Sequence, residues 1–173
     1  MINNDQHARA MVLLENPTKY PGLPAKKNAL MRLRLWRYPS FQPSSSWAVL
    51  QVDEALFLRR ITWDHRRPMT VPNNMATAEP VTYGCEAPIA SAVFETVLHS
   101  FQAMKLPPFV PVSTCGIDGT SYGFEMSSFA LSARFSWWES LPAAWSQLEE
   151  WHSSTIAQFE DLLPANTPSF RHK

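Results

Sequence analysis

The sequence predicts an α+β fold: one domain holding a mostly antiparallel sheet of five to six strands, with two helices packed on one face. Apolar residues alternate with period two in several separated segments, and they recur at helical spacing in two others. The strands also come in runs joined by connections of hairpin length, in the order (α)βββ-α-ββ-α, whereas a parallel sheet would need a long crossover after each strand. With 45% hydrophobic and 17% charged residues the chain is too apolar to stay disordered. At 173 residues it can sustain one core without disulfides or a structural metal.

The elements follow in chain order. Residues 1–28 form an N-terminal arm with a short helix from about Asp5 to Leu14, followed by the breaker-rich run Pro17, Pro21, Gly22 and Pro24. Residues 29–164 form the domain, and 165–173 a tail. From Ala29 the period becomes two, with Met31, Leu33 and Leu35 pointing one way and Arg32, Arg34 and Trp36 the other. Trp47–Val52 and Leu56–Trp63 complete an antiparallel meander, the polar pair Asp53-Glu54 turning between them. Residues 66–80 are a Pro/Asn-rich loop. Pro88 fits a first helical turn, and Ile89, Val93, Val97, Phe101 and Met104 carry a helix up to Pro107. Two strands follow, Thr120–Met126 and Leu131–Trp138, joined through Ser127–Ala130. Pro142–Leu163 is the last helix, with Leu148, Trp151, Thr155, Phe159 and Leu162 as its apolar stripe.

The formal charge is zero, with 15 basic and 15 acidic side chains, so a generic polyanion binder is excluded. The charge is nonetheless segregated, since most Lys and Arg fall before residue 70 and most Asp and Glu after it. Either the folded surface is dipolar and steers a complementary partner, or Arg32 and Arg34 pair internally with Glu125 or a helix carboxylate.

Three constellations could carry chemistry or binding. Cys85, read at a helix N-terminus, would have a lowered pKa, and Asp64-His65 offers a base, so a cysteine-dependent hydrolase is one reading. Adjacent strand residues point to opposite faces, however, so Asp64 could orient His65 only across a bend. Arg32, Arg34, Trp36 and Tyr38, with Arg59, Arg60, Arg66 and Arg67 nearby, could make a sheet face that stacks single-stranded nucleic acid. The histidines at 7, 65, 99, 152 and 172 show no metal-ligand spacing, and five glycines form no phosphate loop, so no cofactor or metal is expected. The third constellation is a protein-binding surface. Trp137 and Trp138 are consecutive on a strand, so one must face away from the core and can anchor a partner. Arg66 and Arg67 on the loop, with Trp138, form the first candidate surface; Glu149, Glu150 and Asp161 on the last helix form the second.

The run Ile117-Asp118-Gly119-Thr120-Ser121-Tyr122, then Ala133-Arg134-Phe135-Ser136-Trp137-Trp138, then Pro142-Ala143-Ala144-Trp145, resembles an Asp-Gly-Thr-x-Tyr … Arg-x-x-Trp-Trp … Pro-x-x-Trp pattern of small bacterial proteins of uncharacterised activity. More loosely, an α+β chain of this size without enzyme motifs is similar to immunity proteins, which occlude the active site of a cognate toxin. That resemblance implies a non-enzymatic inhibitor whose partner is a protein. The neutral total points away from a nuclease as its target, since inhibitors of nucleases are often strongly acidic. With no export-like leader and no apolar run of membrane-spanning length, a cytoplasmic location is expected, with the periplasm as the alternative.

Overall fold

The computed structural model describes residues 4–65, 80–107, 116 and 118–164. Helix α1 (Asn4–Glu15) is followed by a 3-10 turn at Pro17–Lys19 and then by strands β1 (Leu30–Pro39), β2 (Ser44–Val52), β3 (Ala55–Trp63) and β4 (Thr82–Ile89). Helix α2 (Ser91–Gln102), strands β5 (Thr120–Ser127) and β6 (Ser132–Trp138), a 3-10 turn and helix α3 (Ser146–Leu162) complete the order. All six strands pair antiparallel in one sheet, β4-β3-β2-β1-β5-β6, so the α+β class and the meander stand as expected. None of the described helices is long and apolar enough to cross a membrane.

Period two places the two sets of side chains. Leu33, Leu35, Trp47, Val49, Leu58 and Phe124 face α2 and α3 and meet Phe94, Val97, Leu148, Trp151 and Phe159 there. The opposite face carries Ile61 and Trp63, which α1 and the chain after it cover with Ala10, Leu14, Tyr20 and Leu23. The N-terminal arm is therefore a layer of the fold. Arg59, fully buried, fastens it: its guanidinium donates to the Pro17 carbonyl at 2.6 Å, the Pro24 carbonyl at 2.9 Å and the Glu86 carboxylate at 2.6 and 2.9 Å.

Three expectations are corrected. Pro88 lies in β4 opposite Phe57, and the helix begins at Ser91. β4 is an edge strand, where a residue without an N–H is tolerated. In β1 a register shift between Met31 and Leu33 puts Met31 opposite Leu50 and Leu33 opposite Val49, so these two do not share a face. The extra residue, Arg32, reaches Gln51 and lies 5.9 Å over the Phe94 ring on the helix side. Leu162, expected in the apolar stripe of the last helix, is exposed, and so is Leu131, read as the first residue of the last strand but lying just before it. The Ser128 N–H closes the β5–β6 turn on the Leu131 carbonyl, beyond the reach of the helices, and Leu163 takes the buried place at the end of α3.

Part of the segregated charge is closed up internally. Lys26 and Arg59 pair with Glu86, Arg34 with Glu125 and Arg60 with Glu160, each joining the basic first part of the chain to the acidic second. Arg34 also stacks 4.7 Å from Trp36, and Arg134 lies 5.1 Å from the same ring. Trp36 can lean that far because its neighbour in β5 is Gly123, where a Cβ would overlap the indole and the Phe135 carbonyl oxygen. Gly123→Ala is expected to lower stability by about 2 kcal/mol, an overpacking cost read from a urea midpoint at unchanged m-value.

Candidate functional site

At one end of the sheet the last outward-facing residues of five strands lie side by side. The register sets Trp63 opposite Ser44, Tyr38 opposite Ser121 and Ser121 opposite Trp138. Across β3, β2, β1, β5 and β6 the row therefore reads large, small, large, small, large. Two serines between aromatic ridges leave a hollow, because neighbouring strands are only about 5 Å apart and a serine fills little of that spacing. His7 and Met11 of α1 lie over it, Pro39 and Ser40 close it from the β1–β2 connection, and His65 completes the wall beyond β3. The result is a cleft of about 350 Å³, within the range of sites that receive a small molecule or a large side chain.

Trp63 is the fixed floor. It is buried, and both imidazoles lie against it with ring centroids at 5.4 Å, His7 edge-on at 65° and His65 tilted at 56°. Tyr38 accepts a long hydrogen bond of 3.5 Å from Arg34, and burial pushes its phenol well above the usual range, so it stays a neutral donor. Among the described residues no Lys, Arg, Asp or Glu lines the cleft, and indole, phenol, imidazole and hydroxyl groups make its contacts. Such walls favour an uncharged, apolar or aromatic group that carries a hydrogen-bonding function. Trp138 forms the rim at 39% exposure, and Phe41, 69% exposed, lies on the connection at the same end.

Of the candidate surface residues, Trp138 is exposed and belongs to this cleft, while Trp137 turns inward against Tyr122 and His152. Arg66 and Arg67 lie outside the described residues, as does most of the 66–80 loop. Glu150 and Asp161 are exposed on α3, and Glu149 is partly covered and accepts the Leu141 N–H at 3.4 Å. Because α3 packs on the opposite face of the sheet, these carboxylates and Trp138 do not form one surface.

The triad of Cys85, His65 and Asp64 is not assembled. Cys85 is buried within β4 on the helix side, opposite Arg60, and burial pushes its thiol up, which disfavours the thiolate. His65 lies five residues on from Arg60, past the end of β3, and lines a cleft on the other face. The Arg and aromatic row is likewise used internally. Arg34, Trp36 and Arg59 are buried beneath the α1 layer, and Arg60 pairs with Glu160 on the helix side.

The residues that build the cleft come from separate stretches of chain; Met11, Ser44, Trp63 and Ser121 were not singled out by sequence, Tyr38 only as part of a base-stacking face and His7 only as a histidine without metal-ligand spacing. The signal that finds them is the alternation of large and small residues across the strands, which exists only once the registers are known. Compared with family models, curated proteins and solved structures, the chain finds no match in any of the three, so the site is read from its own geometry.

Proposed function

We propose that this chain is a non-enzymatic protein-binding domain, and more specifically an immunity-type inhibitor that occludes a cognate toxin in the cytoplasm. The observation that carries the reading is the cleft with exposed aromatics at its edge: Trp138 on the rim and Phe41 on the adjoining connection. Large rigid side chains around a desolvated hollow are the usual anchors of a protein interface, since they bring much contact area for little lost entropy. The partner inserts an apolar or aromatic side chain between Tyr38, Trp63 and Trp138, and its polar tip bonds to the serine hydroxyls. Arg66 and Arg67, which follow His65 in sequence, belong to this proposal as further partner contacts. Glu149, Glu150 and Asp161 form the alternative surface.

Affinity purification from the native host, followed by binding measurements on the recovered protein, separates the two surfaces. Trp138→Ala is expected to weaken binding about 30-fold, the size of one aromatic hot spot. Glu150→Lys with Asp161→Lys is expected to leave binding within about twofold. Co-expression of the wild type should suppress the toxicity of the recovered protein. Binding that ignores Trp138→Ala and Phe41→Ala, or a recovered protein whose activity is unaffected, overturns the reading.

A further inference from the structure

The sheet has two edges, and they are built differently. β4 carries Pro88, which offers no N–H, and its Glu86 is held by Lys26 and Arg59. β6, Ser132–Trp138, has neither device; among the described residues nothing pairs with its outer side. The direction of its backbone groups follows from two bonds that flank it: the Glu139 N–H donates to the Thr120 carbonyl and the Ser128 N–H to the Leu131 carbonyl. Odd-numbered residues therefore bond to β5, and Ser132, Arg134, Ser136 and Trp138 aim their N–H and C=O groups outward. A long uncovered edge of this kind is a template for another strand.

The side chains state which strand fits. Read antiparallel against itself about Phe135, β6 sets Ser132 opposite Trp138, Ala133 opposite Trp137, and Arg134 opposite Ser136, with Phe135 facing its own copy. Every large residue meets a small one on both faces except at the centre, where two aromatic rings meet. The parity also agrees: the pairs Ser132–Trp138 and Arg134–Ser136 are those whose backbone groups point outward, and Phe135 falls at a non-hydrogen-bonded position, where opposing side chains come closest. A strand that is complementary to itself about a twofold axis makes a closed, isologous contact.

We propose that β6 is the dimerisation edge of this protein and that its partner strand is β6 of a second copy, continuing the sheet through a twofold axis at Phe135. The same register carries the tip of the β5–β6 hairpin alongside Glu139–Leu141 of the other copy. Phe129, fully exposed, is thereby set opposite Leu141 of the other copy, an apolar neighbour that the single chain does not supply. The inference is independent of the cleft reading. Pairing engages the backbone of Trp138, and its indole stays on the cleft wall.

Light scattering and sedimentation equilibrium across the micromolar range test it. The wild type is expected to be a dimer. Ser136→Pro removes one outward N–H that β5 does not use, and is expected to give a monomer that melts cooperatively. Ser136 faces Arg134 across the axis twice, so Ser136→Glu is expected to tighten the dimer about fivefold and Ser136→Lys to loosen it about fivefold. Should the proline variant fail to fold, the two charge variants still decide. A wild type that is monomeric throughout this range, or a dimer whose dissociation constant none of the three changes alters, overturns the proposal and leaves the cleft reading intact.

Discussion

Replacing Arg59 with alanine lowers the stability of the fold by about 4 kcal/mol, the cost of breaking a buried charge network from one side. The guanidinium is fully buried and serves three acceptors that come from different parts of the chain: the Pro17 and Pro24 carbonyls and the Glu86 carboxylate. Lys26, 2.9 Å from Glu86, keeps that carboxylate partly compensated, but neither carbonyl gains a substitute donor from it. The urea midpoint measures the loss, and amide exchange locates it. The Leu23 N–H, bonded to the Tyr20 carbonyl in the stretch that Arg59 holds, is expected to lose protection before the amides of β2. Arg59→Lys should recover less than half of the stability, because one ammonium cannot span three acceptors as the planar fork does. An Arg59→Ala variant within about 1 kcal/mol of the wild type would show that the arm is held by its apolar contacts alone.

Acidification provides the second large effect. His152 is 1% exposed on α3, flanked by Tyr122 and Trp137, and its Nε2–H donates to the Gly123 carbonyl at 3.1 Å. Burial lowers its pKa from 6.5 to about 4. The folded state thus holds the neutral ring while the unfolded chain takes up a proton. The sign follows: this contribution is complete above pH 6.5 and is lost as the pH falls toward 4, up to about 3 kcal/mol in all. His152→Gln keeps a side-chain donor and does not titrate. Its stability is expected to be flat between pH 7 and 5, a window above the ordinary carboxylate range, where the wild type falls. Equal slopes for the two proteins would refute the assignment.

How far the sequence reveals this architecture depends on the kind of signal. Strands β1, β2, β3, β5 and β6 show themselves because one face of each is apolar, and α2 and α3 because their stripes are. β4 is hidden because Gly84 and Pro88 read as punctuation; only its place at the sheet edge makes them compatible with a strand, and place is a tertiary fact. Misreading that segment put Cys85 at the end of a helix. Arg59 looks like a solvated charge, since a linear sequence does not show that Glu86 arrives beside it, whereas the opposite charge of the two parts of the chain already suggests the pairing of Arg34 with Glu125. Five of the seven tryptophans are buried, as their size suggests, and the division between Trp137 and Trp138 follows from strand alternation alone. The cleft itself escapes local reading because Ser44 and Ser121 matter only through the aromatic residues that flank them across three strand pairings.

The strand order has a consequence for the chain as it is synthesised. In the finished sheet β1 is interior, with β2 on one side and β5 on the other, yet β5 begins only at Thr120, long after β1 ends at Pro39. Until then the nascent protein presents a long apolar strand with an open flank, a state that slow non-local closure prolongs and that invites misassociation. The pause before the hairpin of β5 and β6 docks is therefore the interval in which a newborn molecule most needs protection by a chaperone.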